Sequence, residues 1–438
     1  MNVVDFIRTK AESRSHPPGA IARFVSELVR DTVPDYQVSA WLMAVRLSGL
    51  DPDETVELTR AMAASGRQLN WKMRGAPPTV DKHSTGGEGD KITLLLVPML
   101  VACGLRVPTI AGRALGFTGG TIDKMEAIPG FRTALELRSF QSVIRYAGGA
   151  IVGQSASIAP ADRILYALRD ATATVESTPL ITASIVSKKV AEGVAHIVYD
   201  VKAGSGAFMR DSVSAAHLAR SLVSVSRDLG LDARALVTDM HEPLGLAAGN
   251  AVEVAEAVEI LRGDVSPRSA RVVELALRLG SELLRMAKVE KTDDSARRRL
   301  FTVLSSGAAF EAFARMVRAQ GGQTKWMNRP WSIVPRHRTF VLPASRDGWV
   351  EWRETWRFGE ALRLLGAGRA RRSDKIVPAA GAIVHAGSGQ KVSRGDIILE
   401  LHYAHRSRLD DALQSLKGAV AVAASPVRAK PLVMKRIG

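Results

Sequence analysis

The stretch TVDKHSTGGEGDKITLLLVPML, Thr79 to Leu100, decides the fold. A β-prone lead-in runs into Lys82, His83, Ser84 and Thr85, then Gly86-Gly87-Glu88-Gly89, then an apolar segment with helical spacing. Strand, glycine turn and helix in that order are the building unit of an α/β layer. Glycine lets backbone approach a ligand closely, and a helix start offers unpaired N–H groups in a positive potential. Lys82 and Ser84 add a cation and a hydroxyl, and Thr93 follows inside the helix. The stretch reads as an anion cradle. Glu88, a carboxylate in its middle, is the residue that does not fit.

Outward from this unit, short β-branched runs alternate with glycine loops and amphipathic helices: RVPTIAG, GAIVG, AHIVYDVKAGSGA and ALVTDM. The alternation predicts a mostly parallel central sheet. Upstream, residues 1–66 read as helices with proline or acidic starts and glycine stops. The segment Pro160 to Gly193 reads as helices again and would rejoin them. After Gly322 the texture changes to tryptophan, proline and arginine, then to strand-like pieces. There AGSGQKVSRGDIILEL predicts the hairpin of a barrel-sandwich module, with Lys391 structural because it lacks the flanking methionines of a biotin carrier. The expected architecture is α/β plus all-α. A small helical domain spans 1–66 and 160–193, a large α/β domain spans 67–159 and 194–322, and a C-terminal α+β portion spans 323–438.

Composition bounds the partners. The chain has 438 residues, 46% hydrophobic and 24% charged, ordinary values for a soluble globular protein. Its one cysteine, Cys103, permits no internal disulfide and suits a reducing compartment. The N-terminus lacks the apolar core of a signal peptide, and no long uncharged run occurs. A cytoplasmic protein without a membrane partner is expected. The net charge of +16 raises the question of nucleic acid. Residues 321–438, however, hold 21 Lys and Arg against 9 Asp and Glu, so the excess sits away from the glycine loops. Its densest run, Arg369-Ala370-Arg371-Arg372, has no aromatic interleaving for base stacking. A solvated basic face is expected, and no nucleic-acid partner.

Two further glycine loops follow the first: Ala111–Phe131, with Thr121 near a helix start, and Val201–Met209 after a strand. Their spacings fit neither a P-loop nor a dinucleotide fingerprint. Lys82, Ser84, Thr93 and Thr121 together would clamp a phosphate-sized anion. His83, between two of them, is placed for acid or base work. In the helical insert, Ser184 and Lys188 are four apart and share a helix face. With the planar fork of Arg169 they would grip a carbonyl-rich planar ligand, although the spacing also fits a surface salt bridge.

DKHSTGGEGD, GFTGGTIDKMEAIPGF, GQSASIAPADRILYALRDATATVESTPLITASIVSKKVAEG and DVKAGSGAFM resemble the thymidine phosphorylase and pyrimidine-nucleoside phosphorylase family. The resemblance implies a homodimer joined through the helical domain and a cleft between domains. It implies reversible phosphorolysis, in which phosphate attacks C1′ of a pyrimidine (deoxy)nucleoside to release free base and pentose 1-phosphate. By the same resemblance Arg169, Lys188 and Ser184 bind the base and His83 donates a proton near its O2. Lys82, Ser84, Thr93 and Thr121 would hold phosphate, the co-substrate, with no other cofactor. Tyr166, Leu115, Ile181 and Phe208 would line the base pocket. Some relatives bind a monovalent cation near the positions of Gly89, Lys91, Leu244, Ala247 and Glu256; here the Lys91 ammonium would make that ion unnecessary. The chain departs from the family pattern at Glu88 for Val, Ala111 for Ser and Phe117 for His. Ala111 and Glu88 predict weaker phosphate binding, and Glu88 has two readings, a helix-start carboxylate pointing away from the ligand or a group in or near the phosphate site. Ala111 and Glu88 also keep two other activities in view, a nucleoside hydrolase or an enzyme for an unusual nucleoside. A catalytically weak nucleoside-binding protein is a third alternative.

Overall fold

The computed structural model describes residues 1–71, 75–113, 119–155, 157–369 and 374–438. Leu115, Phe117, Arg371 and Arg372 lie outside the described residues. Helices α1 (Val3–Ala11), α2 (Ala20–Val29), α3 (Asp35–Ser48) and α4 (Pro52–Ala64) open the chain. The start of α4 shows why such stretches fold locally. Asp51 accepts from the Glu54 N–H, Glu54 reaches back to Asp51, and Pro52 occupies the first turn.

The α/β layer begins with β1 (Val80–Ser84), α5 (Ile92–Ala102), β2 (Val107–Ile110), α6 (Thr121–Glu126), α7 (Leu137–Ala147) and β3 (Gly149–Val152). Helices α8 (Pro160–Ala171) and α9 (Thr178–Glu192) interrupt it. It resumes with β4 (His196–Ala203), α10 (Ser212–Asp228), β5 (Asp232–Asp239), β6 (Ala247–Gly249), α11 (Ala251–Leu261), α12 (Ala270–Met286), α13 (Asp293–Ser305) and α14 (Ala308–Ala319). The chain ends with β7 (Arg338–Pro343), β8 (Gly348–Trp352), α15 (Thr355–Leu365), β9 (Gly381–Val384), β10 (Lys391–Val392), β11 (Ile397–Tyr403), α16 (Leu409–Leu416), β12 (Val420–Ala423) and β13 (Val433–Ile437).

Helices α8 and α9 pack back onto the N-terminal bundle. Leu165, Leu180 and Ala183 join Phe24, Trp41, Leu42, Leu58 and Met62 in one apolar core. The chain leaves this bundle at Gly193, whose left-handed φ of 74° and close approach to the Leu69 carbonyl exclude a side chain.

In the α/β domain β1, β4 and β5 are parallel neighbours, and β2 pairs in parallel with β3. A parallel bridge between Thr79 and Arg106 links the two sets, giving the order β3-β2-β1-β4-β5. Helix α5 is buried from Ile92 to Leu100 and apolar on all sides, as a helix enclosed by its domain must be. The C-terminal domain has two antiparallel sheets, β6-β9-β11-β7 and β10-β8-β12.

Three features of strand pairing correct the sequence reading. The expected hairpin is absent: β10 pairs with β8, while β11 pairs with β7 and β9. Local spacing finds strands but does not say which sheet each joins. Strand β13 lies antiparallel on β5 of the α/β sheet, although it falls within the 323–438 portion. Strand β6, assigned by sequence to the α/β domain, pairs with β9 of the C-terminal domain. Among the described residues no single helix is long and apolar enough to cross a membrane.

Candidate active site

Strand β1 carries Lys82, His83 and Ser84 along one edge of β4, with Ser84 opposite Asp200. The glycine turn then folds back. Gly89 has φ 73°, and a Cβ there would stand 2.5 Å from the Leu244 carbonyl oxygen. These glycines therefore serve a close chain crossing as well as any ligand. The turn delivers Asp90, whose Oδ2 accepts from the Ser84 hydroxyl at 2.5 Å and whose Oδ1 accepts from the Ile92 N–H at the start of α5.

Around Asp90 the structure gathers cations. Lys82 Nζ stands 3.8 Å from Asp90 and 3.7 Å from Asp200, and 3.5 Å from the Thr93 hydroxyl. Lys202 Nζ pairs with Asp200 at 2.7 Å and stands 3.9 Å from Asp90. Lys124 Nζ donates to the Asp90 carbonyl at 2.7 Å. Burial opposes ionisation of Asp90, but Lys202, Lys82 and Lys124 outweigh it and hold the carboxyl far below its usual range. Lys82, Ser84 and Thr93 are thus brought together. Thr121 opens α6, half-buried. The sequence reading missed Asp90, Asp200 and Lys202. A signal existed: Asp200 and Lys202 are two apart in a strand otherwise apolar, so both charges point to one side of a buried sheet.

The second set lies on α8 and α9. Lys188 Nζ donates to Ser184 Oγ at 2.9 Å and to Asp162 Oδ2 at 2.6 Å. Its side chain is only 12% exposed, so this is no surface salt bridge. Burial lowers the Lys188 pKa, Asp162 opposes, and Lys189 and Arg169 push it further down. Arg169 is buried and donates to the carbonyls of Val175 at 2.7 Å, Leu180 at 3.1 Å and Thr174 at 3.4 Å. It ties down the α8–α9 turn and lies 6.0 Å from the Tyr166 ring. Burial raises the Tyr166 phenol to about 12, so it stays protonated. Ile181 packs beside the α10 core, and Phe208 lies in the loop after β4.

His83 stands between the sets. Burial first, then Lys189, Lys188 and Lys82, hold its imidazole well below the ordinary value. The ring is neutral at neutral pH. It offers one N–H and one lone pair rather than an extra proton, which narrows the acid role expected for it.

At the positions associated with a cation, Lys91 Nζ donates to the Leu244 carbonyl at 2.7 Å and pairs with Glu256 at 3.0 Å. An ammonium already balances Glu256, so these residues do not fit an additional cation. Among the described residues no group of three or more His, Cys, Asp or Glu could hold a metal ion. Glu88 borders a small void with Gly119, Gly249 and Glu253 on one side and Leu362, Arg363, Ala367 and Gly368 of the C-terminal domain on the other. Burial, then Glu253, raises its carboxyl well above the ordinary range against the pull of Lys124. Burial and Glu253 thus disfavour the ionised form that a helix-dipole partner would need.

Two family models described as glycosyl transferase family match the chain, the helical bundle domain over residues 4–66 and the a/b domain over residues 76–310. A third, the pyrimidine nucleoside phosphorylase C-terminal domain, matches residues 349–423. Relatives named thymidine phosphorylase include one from Mesorhizobium japonicum, 43% identical over 99% of this chain and 98% of its own. One from Sinorhizobium fredii and one from Agrobacterium fabrum are each 41% identical over the same shares. A solved anthranilate phosphoribosyltransferase from Thermus thermophilus shares the fold at TM-score 0.58 and 17% identity, covering 73% of this chain and 99% of its own.

Proposed function

The chain belongs to the thymidine and pyrimidine-nucleoside phosphorylase family of glycosyltransferases, and from that premise we propose how its own residues carry the reaction. The enzyme is a pentosyltransferase that splits a pyrimidine nucleoside with phosphate into free base and pentose 1-phosphate. Phosphate oxygen bonds to C1′ while the C1′–N1 bond breaks, and that bond's electron pair leaves with the base. Lys82, Ser84, Thr93 and Thr121 hold the phosphate, with Asp90 fixing Ser84 and the lysines. Ala111 adds only a methyl, so it gives no hydroxyl to the anion. Lys188, Ser184 and Arg169 stabilise the charge that grows on the leaving base. The neutral His83 donates its N–H to the base oxygen nearest the bond that breaks.

One observation supports this assignment: Lys189, the neighbour of Lys188 on α9, pairs with Asp81, the neighbour of Lys82 on β1, and donates to the Ile110 carbonyl at 3.1 Å, so the elements that carry the two sets pack against each other. Two reactants held in one cleft lose little further entropy on reaction. Tyr36, Met43 and Leu47 leave an apolar stripe exposed on α3, which supports a homodimer through the helical domain. Cys103 is a buried free thiol, which agrees with a reducing, cytoplasmic setting.

Incubation with thymidine, deoxyuridine or uridine, with and without phosphate, tests the reading. Base is expected only with phosphate. Lys188→Ala and Arg169→Ala are each expected to lower turnover by about 10²- to 10³-fold, the usual loss of a charge-stabilising donor. Equal release without phosphate would make the enzyme a hydrolase, and full activity in both variants would refute the base-site assignment.

A further inference from the structure

We propose that Asp162 is the positioning residue for the base-binding lysine, and that through Gln154 it ties that lysine to the segment joining the α/β layer to the helical bundle. The inference rests on the phosphorolysis reading, because Lys188 acquires a reacting partner only there.

Asp162 sits in the first turn of α8, after Pro160, with its side chain 1% exposed. Its Oδ2 takes two donors, Lys188 Nζ at 2.6 Å from α9 and Gln154 Nε2 at 3.0 Å. Gln154 lies just after β3, on the segment by which the chain passes from the α/β layer into the helical bundle. That segment is held on its other side too. The Arg67 N–H donates to the Ser157 carbonyl at 2.7 Å, and the Ala161 N–H donates to Ser65 Oγ at 3.2 Å. Ala159 at the head of α8 has φ 44°, a left-handed value costly for a residue with a Cβ. Asp162 Oδ1 is buried and makes no hydrogen bond among the described residues.

The electrostatics give the arrangement its purpose. The groups that bear on Lys188 are Asp162 and Arg169 from α8, Lys189 on its own helix and His83 on β1. Burial, Lys189 and Arg169 all disfavour its charged form, and Asp162 is the group that opposes them. Without that carboxylate the ammonium sheds its proton at lower pH and loses the partner that fixes its direction.

The test uses the full-length protein. In Asp162→Asn, kcat is expected to fall about 10- to 100-fold at pH 8. The alkaline limb of its pH profile should move down by about one unit or more. The KM for phosphate should change less than about threefold, since the anion set lies on other elements. Asp162→Glu should restore the limb in part. Gln154→Leu should lower kcat without moving the limb. Competitive acetylation of Lys188 read by mass spectrometry reports its protonation without any substrate, and the variant lysine should react at lower pH than in the wild type. An unmoved limb and unchanged Lys188 reactivity in Asp162→Asn would overturn the inference, because a structural role alone predicts lost stability and nothing more. If the wild type releases no base, the phosphorolysis reading fails, and the acetylation profile still decides whether Asp162 governs Lys188.

Discussion

Glu88 lies in the seam between the α/β domain and the C-terminal domain, with Oε1 buried and without a hydrogen bond among the described residues. Burial and the neighbouring Glu253 raise its pKa, so the folded protein holds the proton more tightly than the unfolded chain does. Below the ordinary value of 4.5 both states are protonated and the site costs nothing. As pH rises past that value the unfolded chain ionises first, and stability is lost until the folded group ionises too. Glu88→Gln cannot ionise. Its thermal midpoint is therefore expected to match the wild type near pH 4 and to exceed it increasingly toward pH 8. Parallel midpoint curves for the two proteins would show that Glu88 is ionised in the fold.

At the scale of elements, β13 is the clearest case of a segment placed by distant partners. Val433 and Ile437 lie half-buried against β5, the Asp239 N–H donates to the Leu432 carbonyl at 3.0 Å, and Arg436 pairs with Glu282 of α12 at 2.6 Å. The strand closes the open edge of a parallel sheet. Removing residues 431–438 is expected to cost about 2–4 kcal/mol, the sum of several ladder bonds and the partial burial of three or four apolar side chains. It should also promote aggregation along the bared edge of β5. Chemical denaturation and light scattering of the truncated chain measure both effects, and an unchanged midpoint would mean that β13 is dispensable.

For the molecule as a whole, the working unit is set by which faces remain uncovered. The residues proposed for the phosphate lie mainly on β1 and α5, and those proposed for the base on α8 and α9. The outer face of α3 is left with Tyr36 74% exposed and Leu47 79% exposed, and Met43, two turns after Tyr36 and one before Leu47, lies on the same stripe. A homodimer through this face is expected at micromolar concentration. Tyr36→Glu combined with Leu47→Glu should shift the mass seen by light scattering toward that of one chain, about half the wild-type value. A wild type of single-chain mass would end the dimer assignment.

The stretch from Thr79 to Leu100 determined the strand, the turn and the helix by itself, because β-branching, glycine and apolar spacing act over a few residues. Long motifs likewise pointed to the family, and the helical insert Pro160–Gly193 was legible from its own periodicity. What lay beyond reach depended on contacts between segments far apart in the chain. Asp90 gains its meaning only when β4 brings Asp200 and Lys202 beside it, and Asp162 only when α9 carries Lys188 to within 2.6 Å. The neutrality of His83 comes from burial and three lysines, of which only Lys82 is its neighbour in sequence. The pairing of β13 with β5, of β6 with β9, and the parting of β10 from β11 are long-range choices that a period-2 pattern cannot encode. Glu88 shows the same limit at one residue. Its position ahead of a helix was plain in the sequence, but the upward push on its pKa comes from burial in the domain seam and then from Glu253, both set by the tertiary structure.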